Sequence, residues 1–145
     1  MTTTQPLKHK TLGDAATHGL FSGLWAGAAM ALVLGLGAAL TGGGVTILLA
    51  QLDIATRSSA IVGVLSHISV SVVYGGLFGI LIHAFSGLRR GPVWLWGGLY
   101  GLALFGVALL AQTSATLFAG LPAAVVAIAH AVYGLVLGWR IGRAE

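Results

Sequence analysis

The stretch "IAHAVYGLVLGWRIG", Ile128 to Gly142, decides how the rest of the chain is read. It is apolar almost throughout, it holds one histidine, and its glycines, Gly134, Gly138 and Gly142, recur at every fourth position. That spacing lays the glycines along one face of a helix, whereas a barrel strand would alternate polar and apolar residues. A helix that is apolar on all sides is solvated by lipid or by other helices.

Three more stretches have the same character. The four candidate spans are Gly19 to Leu40, Ala60 to Phe85, Pro92 to Gln112 and Leu121 to Ile141. Each offers about 20 predominantly apolar residues, enough for a helix to cross roughly 30 Å of hydrocarbon. Of the 145 residues, 57% are hydrophobic and 7% charged, against roughly 25% charged in soluble domains. Lipid leaves only helices or closed barrels as spanning structures. The expected fold is therefore an all-α membrane protein, a single integral domain over residues 1–145 built as an antiparallel four-helix bundle.

Charge placement sets the expected topology. With four crossings, Lys8, Lys10, Arg89, Arg90, Arg140 and Arg143 fall on one side and only Arg57 on the other. The positive-inside rule then puts both termini in the cytoplasm, in a bacterial inner membrane. The polar lead, residues 1–17, precedes an apolar run of about 22 residues, longer than the roughly 7 to 15 of a signal-peptide core, so the first span is expected to stay uncleaved. The basic residues cluster at helix ends without interleaved aromatics, and no nucleic-acid partner is expected.

Between the first and second spans, "TGGGVTILLAQLDIATRSS" has an apolar centre of about 10 residues, too short to cross, which predicts an interfacial or re-entrant helix. The later connections, "SGLRRGP" and "TSATLFAGLP", are short. Short loops predict that the second span packs beside the third and the third beside the fourth. Pro92 and Pro122 suit helix starts, and Trp94 and Trp96 suit headgroup depth.

The pattern V-Y-G-x-x-x-G occurs twice, in "VVYGGLFGIL" (Val72–Leu81) and "AVYGLVLGWR" (Ala131–Arg140). "GLFSGLWAG" in the first span also resembles "GLYGLALFG" in the third, which points to a tandem duplication of a helical hairpin. Glycines at four-residue spacing form ladders: Gly19, Gly23 and Gly27; Gly75 and Gly79; Gly97 and Gly101; Gly134, Gly138 and Gly142. Such ladders let backbones approach closely in lipid, where no hydrophobic effect drives helices together. Four ladders exceed the evident need of one small bundle, which predicts that some of this surface meets other integral membrane subunits.

Intramembrane ionisable residues are functional candidates by default. His130, Tyr133, Gly134 and Gly138 share a helix face, as do His67, Ser71, Tyr74 and Gly75. The repeat aligns Ser71 with His130, so His67 sits one turn, roughly 6 Å, toward the outer surface. Three readings follow: a buried hydrogen-bond network; bis-histidine ligation of a haem b by His67 and His130; or a quinone or lipid pocket, with Tyr74 and Tyr133 alongside. His18 and His83 read as interface anchors, Arg140 as a snorkelling anchor beside Trp139, and His9 as a solvated basic residue.

Several chemistries lack their residues. There is no cysteine, which excludes thiol redox chemistry and disulfide formation. The only acids, Asp14, Asp53 and Glu145, lie outside the expected spans, which disfavours a proton-coupled transporter. No nucleophile elbow, phosphate loop or carboxylate pair is present, and two histidines fall short of the three ligands of a catalytic zinc site. No catalytic residue, enzyme activity or bound metal is expected.

The H-x-x-Y-G-x-x-x-G element formed by His130, Tyr133, Gly134 and Gly138 resembles a pattern in small, uncharacterised four-helix bacterial membrane proteins. That resemblance brings no activity with it. In size and glycine content the chain is also similar to accessory subunits of respiratory and photosynthetic complexes. The expected function is thus a non-catalytic subunit of an electron-transfer assembly, without a cofactor and with lipids and other membrane subunits as partners. The alternatives are a haem b- or quinone-binding redox protein using His67 and His130, and a minimal transporter or channel.

Overall fold

In the computed structural model the described residues are 11–52, 59–111 and 120–144. They form six helices and no strand: α1 (Leu12–Leu40), α2 (Val45–Gln51), α3 (Ala60–Ala84), α4 (Ser86–Arg89), α5 (Val93–Ala111) and α6 (Ala123–Gly142). Four of them, α1, α3, α5 and α6, are long and apolar enough to cross a membrane. The chain is a multi-pass, all-α membrane protein. Lys8, His9, Lys10, Asp53, Arg57 and Glu145 lie outside the described residues, as does most of the third connection.

The helix ends follow from local chemistry. α1 begins at Leu12, well inside the lead expected to be a polar tail. Thr11 and Asp14 form a capping box: the Thr11 hydroxyl accepts from the Asp14 amide at 3.1 Å, and the Asp14 carboxylate accepts from the Thr11 amide at 2.9 Å. Two otherwise orphaned amides are satisfied, so the helix starts before the apolar run does. At 29 residues α1 is about 43 Å long, more than the hydrocarbon needs, which leaves Asp14 room at headgroup depth. Its other end closes in a Schellman motif, with the Gly43 amide on the Ala38 carbonyl at 2.8 Å and Gly42 at φ +74°, where a side chain would be strained. α3 starts on Ser59, whose hydroxyl accepts from the Val62 amide. α5 and α6 start directly after Pro92 and Pro122.

The spans associate as two hairpins. α1 packs along α3, α5 packs along α6, and α1 against α6 joins the pairs. The expectation that the second and third spans pack closely side by side is corrected: α3 and α5 meet mainly through rings, with Phe78 and Tyr100 centroids 4.9 Å apart. The glycine faces explain the choice. The ladder of α3 is turned to α1 and that of α5 to α6, so neither helix has a small-residue face left for the other.

Both seams are backbone against backbone. A Cβ added at Gly75 would lie 2.5 Å from the Gly19 oxygen and 2.5 Å from the Gly23 Cα. One at Gly134 would run into the Gly97 carbonyl and lie 2.9 Å from the Gly101 nitrogen. Gly79 meets Ala15 and Gly19 as Gly138 meets Val93 and Gly97, and Gly23 meets the Ser71 carbonyl as Gly101 meets that of His130. The hairpins are thus geometric copies, with Gly75 matching Gly134 and Gly19 matching Gly97. This moves the sequence alignment of the first and third spans by one position, since "GLFSGLWAG" against "GLYGLALFG" had paired Gly19 with Gly98.

Within the bundle, Phe78, Tyr133, Ile82 and Leu137 fill the half nearest Arg89 and Arg140. Leu34, Ala38, Leu121 and Ala129 fill the other half, closed by Leu48 of the short α2, which folds back against α3. The helix exteriors carry exposed large apolar residues such as Leu32, Ile61, Leu99 and Leu110, as lipid requires.

Candidate functional site

The polar side chains inside the bundle descend from the seams. Where glycine lets two helices touch, a carbonyl of one comes within reach of a side chain on another. His67 of α3 bonds the Gly27 carbonyl of α1 through Nε2 at 3.1 Å. The histidine of the other hairpin bonds locally: His130 Nδ1 meets the Val126 carbonyl of its own helix at 2.9 Å. A carbonyl oxygen only accepts, so each of these nitrogens carries the hydrogen, and in the neutral ring the remaining nitrogen, Nδ1 of His67 and Nε2 of His130, is an acceptor.

Two tyrosines reach across the interior. The Tyr133 hydroxyl of α6 donates to the Ser71 carbonyl of α3 at 2.7 Å, and the Tyr100 hydroxyl of α5 donates to the Tyr74 carbonyl at 3.0 Å. Lipid offers no competing partner, so a buried phenol seeks such an acceptor. The reading from sequence grouped His67, Ser71, Tyr74, His130 and Tyr133 on facing sides, and Tyr133 and Ser71 do come together. The two imidazoles end on separate carbonyls. Tyr74 contributes its main chain, and Tyr100, which was missed, supplies the hydroxyl. A tyrosine within the apolar "GLYGLALFG" was the available signal.

The hairpins differ at one level of the bundle. In the first, Gly27 lies against Ser71, close enough that an added Cβ would sit 2.5 Å from its hydroxyl oxygen. At the matching place in the second stand Phe105 and His130, ring centroids 5.7 Å apart. Two small residues are exchanged for two large ones. The two hairpins thereby match at their middle and Arg-bearing end and differ in packing toward the far end.

His67 also lines a cavity of about 320 Å³ between α1 and α3, bordered by Trp25, Gly27 and Ile68 and roofed by Leu49 and Leu52 from α2 and its end. Among the described residues, no three histidine or carboxylate side chains come together as a metal site would need. The Arg140 guanidinium lies 5.5 Å from the centre of that same Trp25 ring, tying α6 to α1, and Arg143 lies 3.9 Å from the centre of the Trp139 ring. His18 and His83 are half-buried near the Arg-bearing end.

The glycine ladders, expected to leave surface for other proteins, are taken up within the chain. Gly19, Gly23 and Gly27 meet α3, Gly97 and Gly101 meet α6, and Gly75, Gly79, Gly134 and Gly138 are their partners. Compared with protein-family models, curated proteins and solved structures, the chain matches none.

Proposed function

We propose that the chain is a non-catalytic subunit of a larger membrane assembly, in a bacterial cytoplasmic membrane with both termini on the cytoplasmic side, serving a respiratory or photosynthetic electron-transfer complex. One observation carries the non-catalytic part: four polar side chains of the interior, His67, Tyr100, Tyr133 and His130, each bond a main-chain carbonyl. Three of those bonds cross between helices and act as staples, each contributing about 0.6 kcal/mol in a membrane. Catalysis needs a proton or lone pair aimed at a reacting atom, and these donors are aimed at the scaffold. The orientation rests on Arg89, Arg90, Arg140 and Arg143, which share one end.

With the ladders used internally, the surface for a partner lies elsewhere. Among the described residues, nothing lies within 4 Å of a Cβ added at Gly35 of α1 or Gly106 of α5. A helix-interior glycine costs about 0.5–1 kcal/mol relative to alanine, so one that touches none of these residues is a place for another helix to approach closely. Extraction in a mild detergent followed by native electrophoresis and cross-linking tests this. The chain is expected to migrate within an assembly far heavier than its own 14.7 kDa, and Gly35→Leu with Gly106→Leu to release it with unchanged helicity. Migration as a lone protein in the mildest detergent would overturn the reading.

The His67 cavity favours a second reading, a bound quinone. Its volume is at the lower end of ligand pockets, roughly 300–1,000 Å³, and its lining is almost wholly apolar with His67 at one side, as a quinone ring would need. A haem fits less well, because His67 Nε2 is already held by Gly27 and Tyr133 bridges from α6 to α3. Solvent extraction of the purified protein with an ultraviolet and visible spectrum distinguishes these: quinone absorbance lost in His67→Ala supports the quinone, and a Soret band lost in His130→Ala supports haem.

A further inference from the structure

Two features at the Arg-bearing end of the second hairpin play no part in the function proposed above. One is an open cleft of about 580 Å³ where the start of α5 meets the end of α6, bordered by Arg89 and Arg143 and walled by Trp94 and Trp139. The other is an apolar groove of about 290 Å³ lined by Trp94, Leu135, Val136 and Trp139. The same two tryptophans line both, which sets the groove beside the cleft. Leu135 lies one helical turn from Trp139 toward the bilayer centre, so the groove runs from the charged mouth into the hydrocarbon.

The chemistry along that surface is amphiphilic in a fixed order. At the mouth, the Arg143 guanidinium lies over the Trp139 ring, 3.9 Å from its centre, and a guanidinium fork suits an oxyanion. The cleft also borders the N-terminal end of α5, whose first amides have no carbonyl of their own helix to meet and favour negative charge. Trp94 and Trp139, about half exposed, are the residue type found at headgroup depth. Beyond them the lining is purely apolar. A free phosphate would use only the mouth, and an apolar ligand only the groove.

We propose that this surface binds one anionic glycerophospholipid, its phosphate at Arg89 and Arg143 and an acyl chain along Trp94, Leu135, Val136 and Trp139. Among the described residues that border the cleft, the charged ones are the two arginines, so a headgroup with net negative charge is preferred over a zwitterionic one.

The test is native mass spectrometry of the full-length, delipidated protein, titrated with phosphatidylglycerol and with phosphatidylcholine of the same acyl chains. The wild type should retain one phosphatidylglycerol on the order of tenfold more tightly than phosphatidylcholine. That preference should vanish in R89Q/R143Q and survive in R90Q, which removes a charge from the same end but not from the cleft. Inorganic phosphate at millimolar concentration should not compete. Equal binding of the two lipids by the wild type, an unchanged preference in R89Q/R143Q, or displacement by inorganic phosphate, which would mark a bare anion site, each overturns the proposal. The wild-type comparison stands even if the double variant folds poorly.

Discussion

Replacing Gly134 by alanine adds one methyl group at the most crowded point of the second seam. That carbon would meet the Gly97 carbonyl, 2.8 Å from its carbon atom, and would lie 2.9 Å from the Gly101 nitrogen. All of these are main-chain atoms of α5, so no side chain can swing aside. Ordinary carbon contacts are about 3.5–4.0 Å, and α5 must therefore retreat from α6 by about 1 Å along the seam. Overpacking of this kind costs about 1–3 kcal/mol, and alanine's better helix propensity returns up to about 1. The expected net loss is about 1–2 kcal/mol, or close to tenfold in the unfolding equilibrium. Gly35→Ala makes the same chemical change where an added Cβ touches none of the described residues, and should be neutral or stabilising by about 0.5–1 kcal/mol. Equilibrium unfolding in mixed micelles, titrated with sodium dodecyl sulfate and followed by circular dichroism, measures both. If Gly134→Ala unfolds at the same or a higher detergent fraction than the wild type, the backbone seam is not what joins α5 to α6.

Gly75→Ala, at the matching place in the first hairpin, should lose stability to a similar extent in the same titration; a neutral result would remove the equivalence of the hairpins. Tyr133→Phe deletes the bond to the Ser71 carbonyl and should cost about 0.6 kcal/mol, at most about 1.7. Thr11→Ala removes half of the capping box and should cost about 1 kcal/mol, with hydrogen exchange accelerated in the first turn of α1 and not in α3. Because the chain lacks cysteine, single cysteines at Thr41 and Gly87 can be probed with an impermeant thiol reagent in oriented vesicles. They should label from opposite sides, and labelling from one side would break the four-span topology.

The spans were legible because run length and apolarity report directly on lipid, and the bounds of α3 and α6 fall close to those read from sequence. The start of α1 was not, because Leu12 to His18 carries polar residues that hydropathy counts as a tail, while the T-x-x-D signature at Thr11 and Asp14 carries the helix signal. The repeated V-Y-G-x-x-x-G shows that α3 corresponds to α6. The alignment of α1 with α5 is ambiguous in sequence because Gly97 and Gly98 are adjacent, and only the contact with Gly134 chooses between them. A ladder announces a close approach without naming the neighbour. Loop length argued for α3 beside α5, and the direction of the glycine faces prevailed. In the site, helical periodicity put His67, Tyr133 and His130 on inward faces. The acceptors of His67, Tyr100 and Tyr133 are main-chain carbonyls of a neighbouring helix and that of His130 is one of its own; sequence does not distinguish one carbonyl from another, so it marks Gly27 only as a packing residue and does not single out Tyr100.

That each hairpin seals its own seam has a bearing on how the molecule is made. Once α3 has followed α1 into the bilayer, the glycines of that seam, Gly19, Gly23, Gly75 and Gly79, have the partners they need, and the remaining chain need not have been synthesised. The second pair then docks as a finished piece, through α6 on α1 and the rings between α3 and α5. A chain cut between α4 and α5 should accordingly yield two fragments that insert separately and reunite in the same membrane.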